Sequence, residues 1–359
     1  MAGDVQIEQF ELADQDALLS FLRVAYADEP RKSEPAFWRW HYLENPLTPP
    51  DDIPLWVVRS GKRIVGQLAT IPVELKVGGD QTRAIWILDF VILPEYRGRG
   101  LGKRLVLAAR ESFPTMITLG INEQSTAVFR SLKWVALGGV HRYHRLLYPG
   151  DALSEVSKFE PLRRLANLCY APFRPRDART SDRAGGVVRE ITTFDGSFAD
   201  LWQRASAQWT CAVVRSPRYL EWQFARQPGK KFDVLGLYEH ERLVGYVVLF
   251  FRKDGRGKVS PKVAISDICY DASGSPQVID DLLRAALRLA LERRAGSLVT
   301  DVLDPTVEAR LRHAGFWRIK AAPQFMASAS EHQDLIYQGS NWFLTRGDSD
   351  VSIFEQPNL

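Results

Sequence analysis

The stretch "PAFWRWHYLENP", Pro35 to Pro46, returns 182 residues later as "PRYLEWQFARQP", Pro217 to Pro228. Each has a proline at both ends, a tryptophan at the sixth place (Trp40, Trp222) and an aromatic at the eighth (Tyr42, Phe224). The echo continues in order. "PLWVVRSGKRIVGQLATIPVEL" answers to "DVLGLYEHERLVGYVVLFFRK", with Gly66 against Gly245. "WILDFVILP" answers to "AISDICYDA", with Asp89 against Asp267, and "FRSLKW" to "LRHAGF", with Trp134 against Phe316. Four matches in one order at steady spacing require two copies of one fold.

Each copy reads the same way. An amphipathic helix such as "DQDALLSFLRVAYA" comes first, with apolar residues at helical spacing. A short aromatic helix, a hairpin and a third strand follow. Then come a long helix ("GLGKRLVLAARESF"; "SPQVIDDLLRAALRLALERRAG"), a strand ("TMITLGI"; "SLVTDVL"), a helix and closing strands ("LGGVHRYHRLL"; "NWFLTR"). The expected fold is α/β (α+β): two domains in tandem, each a mixed, mostly antiparallel sheet flanked by helices. The chain of 359 residues has room for two such domains. The boundaries expected are 1–148, a linker at 149–187, and 188–359. The linker carries five arginines between Arg163 and Arg179 and reads as a solvated connector around 174–186.

Formal net charge is +4, which permits an anionic ligand without requiring nucleic acid. The three cysteines, Cys169, Cys211 and Cys269, show no metal spacing, and no disulfide framework is expected. His141 and His144 stand three apart, which on a strand puts them on opposite faces, so no metal is expected. No apolar run reaches the length of a span, and the acidic start lacks the order of a signal peptide. The expectation is a cytoplasmic protein with no membrane partner. Trp38, Trp40, Trp209 and Trp222 fit a core better than a sugar platform, because they recur in the echo.

The first copy's long helix opens on "YRGRGLGKRL", Tyr96 to Leu105, with three glycines and four basic residues. The spacing fits neither a P-loop nor a dinucleotide fingerprint: Arg104 follows Gly102-Lys103, and the glycines fall at 98, 100 and 102. What remains is anion capture at a helix start. The first N–H groups of a helix have no internal partner, glycines let an anion approach the backbone, and Arg97, Arg99, Lys103 and Arg104 add positive charge. The site suits a pyrophosphate.

"VILPEYRGRGLGKRL" resembles the acyl-CoA signature of the GNAT superfamily of N-acyltransferases, [QR]-x-x-G-x-[GA]. Arg97, Gly100 and Gly102 satisfy that pattern, with Pro94 and Tyr96 before it. The resemblance extends over about residues 5–147. It implies that the backbone from Gly98 through Arg99, Gly100, Leu101 and Gly102 to Lys103 binds the CoA pyrophosphate. It also implies that the pantetheine arm lies along Phe90, Val91, Ile92 and Leu93, and that Asn122 and the helix after it flank the sulfur. Acetyl-CoA or a related acyl-CoA is then the co-substrate. Many members place a tyrosine seven residues after this asparagine; here that position is Phe129, which would pack against pantetheine or the core. Tyr143 is the substitute candidate for the acid.

The second copy has "YDASGSPQVIDD" in place of the loop, without arginine or lysine. Gly274 is its one glycine, and Ser275 with Pro276 reads as an ordinary cap. Asp271, Asp280 and Asp281 would repel phosphate. The second copy is therefore expected not to bind CoA. Direct attack by an amine needs a base, an oxyanion site and a leaving thiolate. Asp89, in an otherwise apolar strand, is the candidate base, although its counterpart Asp267 equally supports a structural role. Glu123 and Glu74 are weaker candidates. Asp348 and Asp350 read as a solvated turn.

The function expected is transfer of an acyl group to a primary amine of a small-molecule or sugar-like acceptor. The rivals are a non-catalytic acyl-CoA sensor and a Fem-like aminoacyl transferase using aminoacyl-tRNA; the intact loop argues against the latter.

Overall fold

Apolar alternation and helical spacing translate directly into the first elements. In the computed structural model, Val5–Gln9 forms strand β1 and Gln15–Ala25 helix α1, which buries Leu18, Leu19, Phe21 and Leu22 on one face. The echoed aromatic segment is helix α2, Pro35–Tyr42, begun by its proline. Strand β2 is Leu55–Ser60; β3, Arg63–Val77, and β4, Asp80–Ile92, make a long hairpin turned at Gly78, whose φ is +60°. Helix α3 is Leu101–Ser112, β5 Met116–Leu119, α4 Glu123–Ser131 and β6 Val135–Gly139.

The later elements are β7 (His141–Leu146), α5 (Pro149–Ala152), α6 (Glu160–Cys169) and β8 (Val187–Ile191). Next come α7 (Gly196–Ala205), β9 (Cys211–Val213), α8 (Pro217–Leu220), β10 (Phe232–Glu239), β11 (Arg242–Lys253) and β12 (Val259–Tyr270). Then follow α9 (Val278–Glu292), β13 (Ser297–Leu303), α10 (Pro305–His313) and β14 (Trp317–Arg318). The last are β15 (Gln324–Ser328), α11 (Gln333–Ile336) and β16 (Trp342–Thr345). The structure describes residues 5–120, 122–152, 159–173, 186–253, 259–273, 277–319 and 323–348.

The chain forms two compact units, and neither is contiguous in sequence. The first comprises Met1–Gly138, Arg226–Gly229 and Pro323–Asn341; the second comprises Gly139–Ala225, Lys230–Ala322 and Trp342–Leu359. The sheet of the first runs β1-β2-β3-β4-β5-β15-β6; from β1 to β15 it is antiparallel except for the parallel pair β4–β5. In the second, β8, β10, β11 and β12 form an antiparallel series, and β13 joins β12 in parallel. Both sheets are mixed and mostly antiparallel with helices packed on them, as the sequence predicts.

The closing strands differ from the sequence reading. β7 follows the first unit's elements in the chain but pairs with β13, Tyr143 opposite Thr300. β15 follows the second unit's elements but pairs with β5, Met326 opposite Thr118. Each unit thus includes a strand from outside the domain bounds expected from the sequence, β7 from 1–148 and β15 from 188–359. "NWFLTR" is β16, which joins the second sheet as expected, antiparallel to β13 and parallel to β9. Of the expected linker, 153–158 and 174–185 lie outside the described residues, while α5 and α6 belong to the second unit.

Candidate functional site

Strand β4 is bonded on one side along its whole length and on the other side only in part. Toward β3 the register runs to Gly66 opposite Ile92, with a bulge at Leu88 where Ala69 faces Asp89 and Thr70 faces Ile87. Toward β5 the pairing spans Ile85–Met116, Trp86–Ile117 and Ile87–Thr118 and then stops. The Thr118 hydroxyl donates to Ile87 O at 3.1 Å and pins that last rung. Beyond it the bulge turns β4 away, as an extra residue bends a strand. Phe90, Val91 and Ile92 therefore border a cleft instead of a neighbouring strand.

A short turn closes the end of β4. Tyr96 N donates to Leu93 O at 2.9 Å and Arg97 N to Pro94 O at 3.2 Å. Gly98 and Gly100 then take φ of +75° and +71°, a left-handed conformation that costs other residues energy. Gly100 is the N-cap of α3 and supplies no side chain to its amides. The N–H groups of Leu101, Gly102 and Lys103 begin the helix, where no helical acceptor exists. A Cβ at Gly98 or Gly100 would meet nothing within 4 Å, so the space above these amides is open. Gly102 is needed for a different reason: a Cβ there would stand 2.9 Å from Phe90 Cζ, so glycine lets α3 lie against β4.

The resulting cleft has a volume of about 470 Å³. Its walls are the end of β4 (Phe90, Val91, Ile92), the loop and first turn of α3 (Tyr96, Arg97, Gly98, Gly100, Leu101, Gly102, Lys103), and the start of α4 (Asn122, Gln124, Ser125, Val128). None of these residues is acidic. One end carries open amides, the α3 dipole and the exposed Lys103; the other has apolar walls and unpaired strand backbone. That combination suits a ligand with an anionic head and a long amide-bearing arm.

Ten of the expected binding residues line this cleft, and three do not. Leu93 is buried, its N–H bonded to Val65 O at 2.9 Å. Arg99 folds back, donating to Glu95 O at 2.9 Å and lying 5.1 Å from the Tyr96 ring. Phe129 is fully buried between Phe90 and Trp134, with ring centroids 5.8 and 4.4 Å away, and supports the wall from behind. Arg97 lines the cleft while its Nε donates to Ile92 O at 2.8 Å, bracing loop to strand. Asn122 caps α4, its Oδ1 accepting from Ser125 N at 2.8 Å. Gln124, Ser125 and Val128 were not foreseen individually; their positions on one face of α4 follow from the helix that the sequence does predict.

Asp89 is buried and both its oxygens are engaged. Lys32 Nζ stands 2.8 Å from Oδ1, and the Tyr42 hydroxyl donates to Oδ2 at 3.0 Å. Burial alone would lower the Lys32 pKa, but the Asp89 charge outweighs it and holds the ammonium above its ordinary value. His41, next to Tyr42, is driven by burial down to about 3 and is neutral. As partners of Asp89, Lys32 and Tyr42 escaped the sequence reading: Lys32 belongs to no motif, and Tyr42 stands there only as the aromatic of the echoed segment. Glu74 and Glu123 are not among the residues that line the cleft.

Tyr143 lies in the second unit and is fully buried there. Its hydroxyl donates to Glu308 at 2.6 Å and accepts from Arg312 at 2.9 Å. Burial first, then Glu308, pushes its pKa up to about 12. The sequence made Tyr143 the substitute acid; it is not among the residues that line the cleft. Asp348 also departs from expectation: it is buried, not solvated, whereas Asp350 lies outside the described residues.

The second unit repeats the bulge and fills the gap. Ser266 is the extra residue between Val248–Asp267 and Leu249–Ile265. β13 pairs with β12 from Ser297 to Val299, and then with β16 at Val302–Thr345 and Leu303–Leu344. Strand β16 thus takes up the edge of β13 beyond the end of its pairing with β12. Asp267 binds Arg215 (Nη2 to Oδ1, 3.1 Å), Tyr246 (2.7 Å) and Thr345 (2.7 Å), and Arg215 also reaches Asp348 at 2.7 Å. A Cβ on Gly347 would meet Ser266 O at 2.9 Å, so the segment after β16 lies hard against β12. Helix α9 has Asp280 and Asp281 in its first turn. Gly274, Ser275 and Pro276 lie outside the described residues.

Trp38, Trp40, Trp209 and Trp222 are all buried, as core residues are. Among the described residues no group of three or more His, Cys, Asp or Glu side chains could hold a metal, and no helix is long and apolar enough to cross a membrane.

Residues 6–115 match the family described as "Acetyltransferase (GNAT) domain". Solved structures share the fold. A probable N-acyltransferase from Enterococcus faecalis V583 is 14% identical with a TM-score of 0.62, the match covering 92% of this chain and 74% of that one. A GCN5-related N-acetyltransferase from Anabaena variabilis is 14% identical, TM-score 0.59, with 90% and 72% covered. Saccharomyces cerevisiae N-myristoyltransferase with bound myristoyl-CoA is 13% identical, TM-score 0.61, with 91% and 83% covered. No curated protein sequence matches the chain significantly.

Proposed function

We propose that the first unit of this chain, whose residues 6–115 match the GNAT acetyltransferase domain, takes acetyl-CoA or a related acyl-CoA and transfers the acyl group to a primary amine of a small-molecule or sugar-like acceptor. The observation that carries this reading is the cleft between the end of β4 and the open amides of α3. The Leu101–Lys103 N–H groups, with Gly98 and Gly100 clearing the approach and Lys103 adding charge, hold the diphosphate. The backbone of Phe90 to Ile92 that β3 and Arg97 leave unbonded takes the pantetheine amides as a strand would.

The thioester then lies where β4 leaves β5. Backbone N–H groups of β4 polarise its carbonyl as charge develops. The amine attacks the carbonyl carbon directly, the tetrahedral intermediate collapses, and CoA leaves as a thiolate. The attacking nitrogen gives up its proton to water, and the thiolate is protonated from solvent. Asp89, engaged with Lys32 and Tyr42, holds β4 and the segment before α2 in place; we assign it a positioning role. The second unit, with β16 along β13 and acids in the first turn of α9, does not bind CoA.

Calorimetry with acetyl-CoA followed by thiol release over a panel of amines tests the reading. One site per chain and turnover on an amine are expected. Binding without turnover on any amine would favour an acyl-CoA sensor, and tRNA binding without CoA binding a Fem-like enzyme.

A further inference from the structure

Three hydroxyl side chains stand on α4, and two of them return to the helix. Thr126 Oγ1 donates to Asn122 O at 2.8 Å and Ser131 Oγ to Val128 O at 2.7 Å, the usual habit of a helical hydroxyl. Ser125 does not follow it. Ser125 is 8% exposed and lines the cleft, and among the described residues its hydroxyl has no hydrogen-bond partner. Its N–H is taken by the Asn122 cap at 2.8 Å, so the helix start is held while the hydroxyl is left over. A nearly buried hydroxyl without a partner carries a desolvation cost that an acceptor in the cleft would remove.

The place of this hydroxyl says what the acceptor is. β5 ends at Leu119 and α4 begins at Glu123, so the first turn of α4 stands beside the point where β4 parts from β5. Ser125 is in that turn. Val128, the next residue of α4 on the cleft, lies toward α3, its Cγ2 3.5 Å from where a Gly102 Cβ would stand. Phe129, on the same face as Ser125 and one turn later, is apolar and fully buried and offers nothing to a charge. The dipole of α4 is positive at this end. The titratable groups that line the cleft are Tyr96, Arg97 and Lys103, and none is a carboxylate. A donor at a helix start favours negative charge on sulfur.

We infer that Ser125 is a catalytic residue that holds the CoA sulfur as the thioester breaks, a role that rests on the acyl transfer proposed above. The amine nitrogen bonds to the carbonyl carbon, the carbon–sulfur bond breaks, and its electron pair goes to sulfur. Ser125 Oγ–H donates a hydrogen bond to that thiolate and keeps its own proton. The amine proton goes to water, and the thiolate takes one from solvent. The sulfur of the intact thioester is a weak acceptor, so the hydrogen bond strengthens only as the bond breaks and its effect falls on the transition state.

Two measurements on Ser125→Ala test this role. In steady-state turnover of acetyl-CoA over the amine panel, kcat should fall roughly 10- to 100-fold, as for a lost hydrogen bond to a charged group, with acetyl-CoA affinity within about twofold of the parent and an unchanged melt. The second measurement needs no acceptor. Calorimetry compares CoA with acetyl-CoA from about pH 6.5 to about pH 9, where an alkyl thiol begins to ionise. In the parent, CoA affinity should rise with pH against that of acetyl-CoA, which has no thiol; in Ser125→Ala the rise should shrink. Equal kcat and equal pH slopes in parent and variant overturn the role of Ser125 and leave acyl transfer standing. A variant that loses acetyl-CoA affinity at unchanged kcat also overturns it, by putting the hydroxyl on a pantetheine amide. A parent that binds no acyl-CoA, or turns over no amine, fails the acyl-transfer reading itself and takes this role with it.

Discussion

Lys32 and Asp89 form an ion pair of 2.8 Å with both side chains nearly removed from water, and Tyr42 closes the other carboxylate oxygen at 3.0 Å. The second unit solves the same position with other residues, Asp267 held by Arg215 and Tyr246. An aspartate just after a bulge, neutralised by a cation and a tyrosine, is thus common to both units. It is a structural motif whether or not a unit has a cleft. Asp89→Asn should cost about 3–5 kcal/mol of stability, because it removes the carboxylate 2.8 Å from the nearly buried Lys32 ammonium. Adding Lys32→Met should recover much of that loss. Turnover per folded enzyme should fall less than about tenfold, whereas loss of a true general base costs 10²–10⁴; steady-state kinetics beside denaturant melts separate the two roles. Lys32 has a raised folded-state pKa, so its contribution is full below about pH 10 and fades as pH rises beyond the folded value.

Gly100 offers the sharpest test of the diphosphate site. Its φ of +71° makes any side chain strained by about 1–2 kcal/mol, yet a Cβ would clash with nothing. Gly100→Ala should therefore fold, melt slightly earlier and bind acyl-CoA more weakly. Gly100→Asp should also fold but lose CoA affinity by at least roughly 100-fold, because it sets a carboxylate where phosphate charge must sit. Calorimetry on both variants, with melts as controls, gives the comparison. Unchanged affinity in Gly100→Asp would remove the site assignment.

The sequence disclosed the cleft because its parts are local. The glycines, the helix start and the strand before it are contiguous, and their chemistry depends on spacing alone. The repeated Asp89 and Asp267 likewise pointed to a shared structural need. What stayed hidden depends on partners distant in the chain. Nothing in "HRYHRL" says that its neighbour is Ser297–Val302, because an alternating strand fits any sheet edge with matching faces. Tyr143 was counted with the first sheet for that reason. Nor could "NWFLTR" reveal that it lies against β13, or Lys32 that its counter-charge lies on β4.

That exchange of strands has a consequence for dissection. The first unit needs β15: Phe325 stacks 6.1 Å from Trp86, Ser328 accepts from Arg110 at 3.2 Å, and Met326 pairs opposite Thr118. A fragment of residues 1–148 lacks that strand and would expose the edge of β5, with its unpaired backbone, beside bare apolar surface. It should be aggregation-prone, bind a hydrophobic dye and melt without cooperativity, although it contains every residue of the cleft lining. A soluble, cooperatively melting fragment that binds acetyl-CoA would show that β15 is dispensable.

The last prediction concerns pH and the second unit. Arg215 is fully buried and faces two carboxylates, Asp267 at 3.1 Å and Asp348 at 2.7 Å. One cation cannot balance both. Burial first raises Asp348, Arg215 opposes it, Asp267 adds to it, and the result is a pKa of about 6. The unfolded chain ionises this group near 3.9. Between those values the folded state holds the proton more tightly than the unfolded state, so stability falls as pH rises from about 4 to 6, by about 3 kcal/mol for this group. Other carboxylates push the other way, so the difference from a variant is the quantity to read. Asp348→Asn keeps an acceptor for the Thr345 N–H, now at 2.7 Å from Oδ2, and removes the titration. Its stability relative to the parent should therefore improve between pH 4.5 and pH 7.5 in denaturant melts. A constant difference across that range would mean that Asp348 is ionised throughout and that Arg215 balances both carboxylates after all.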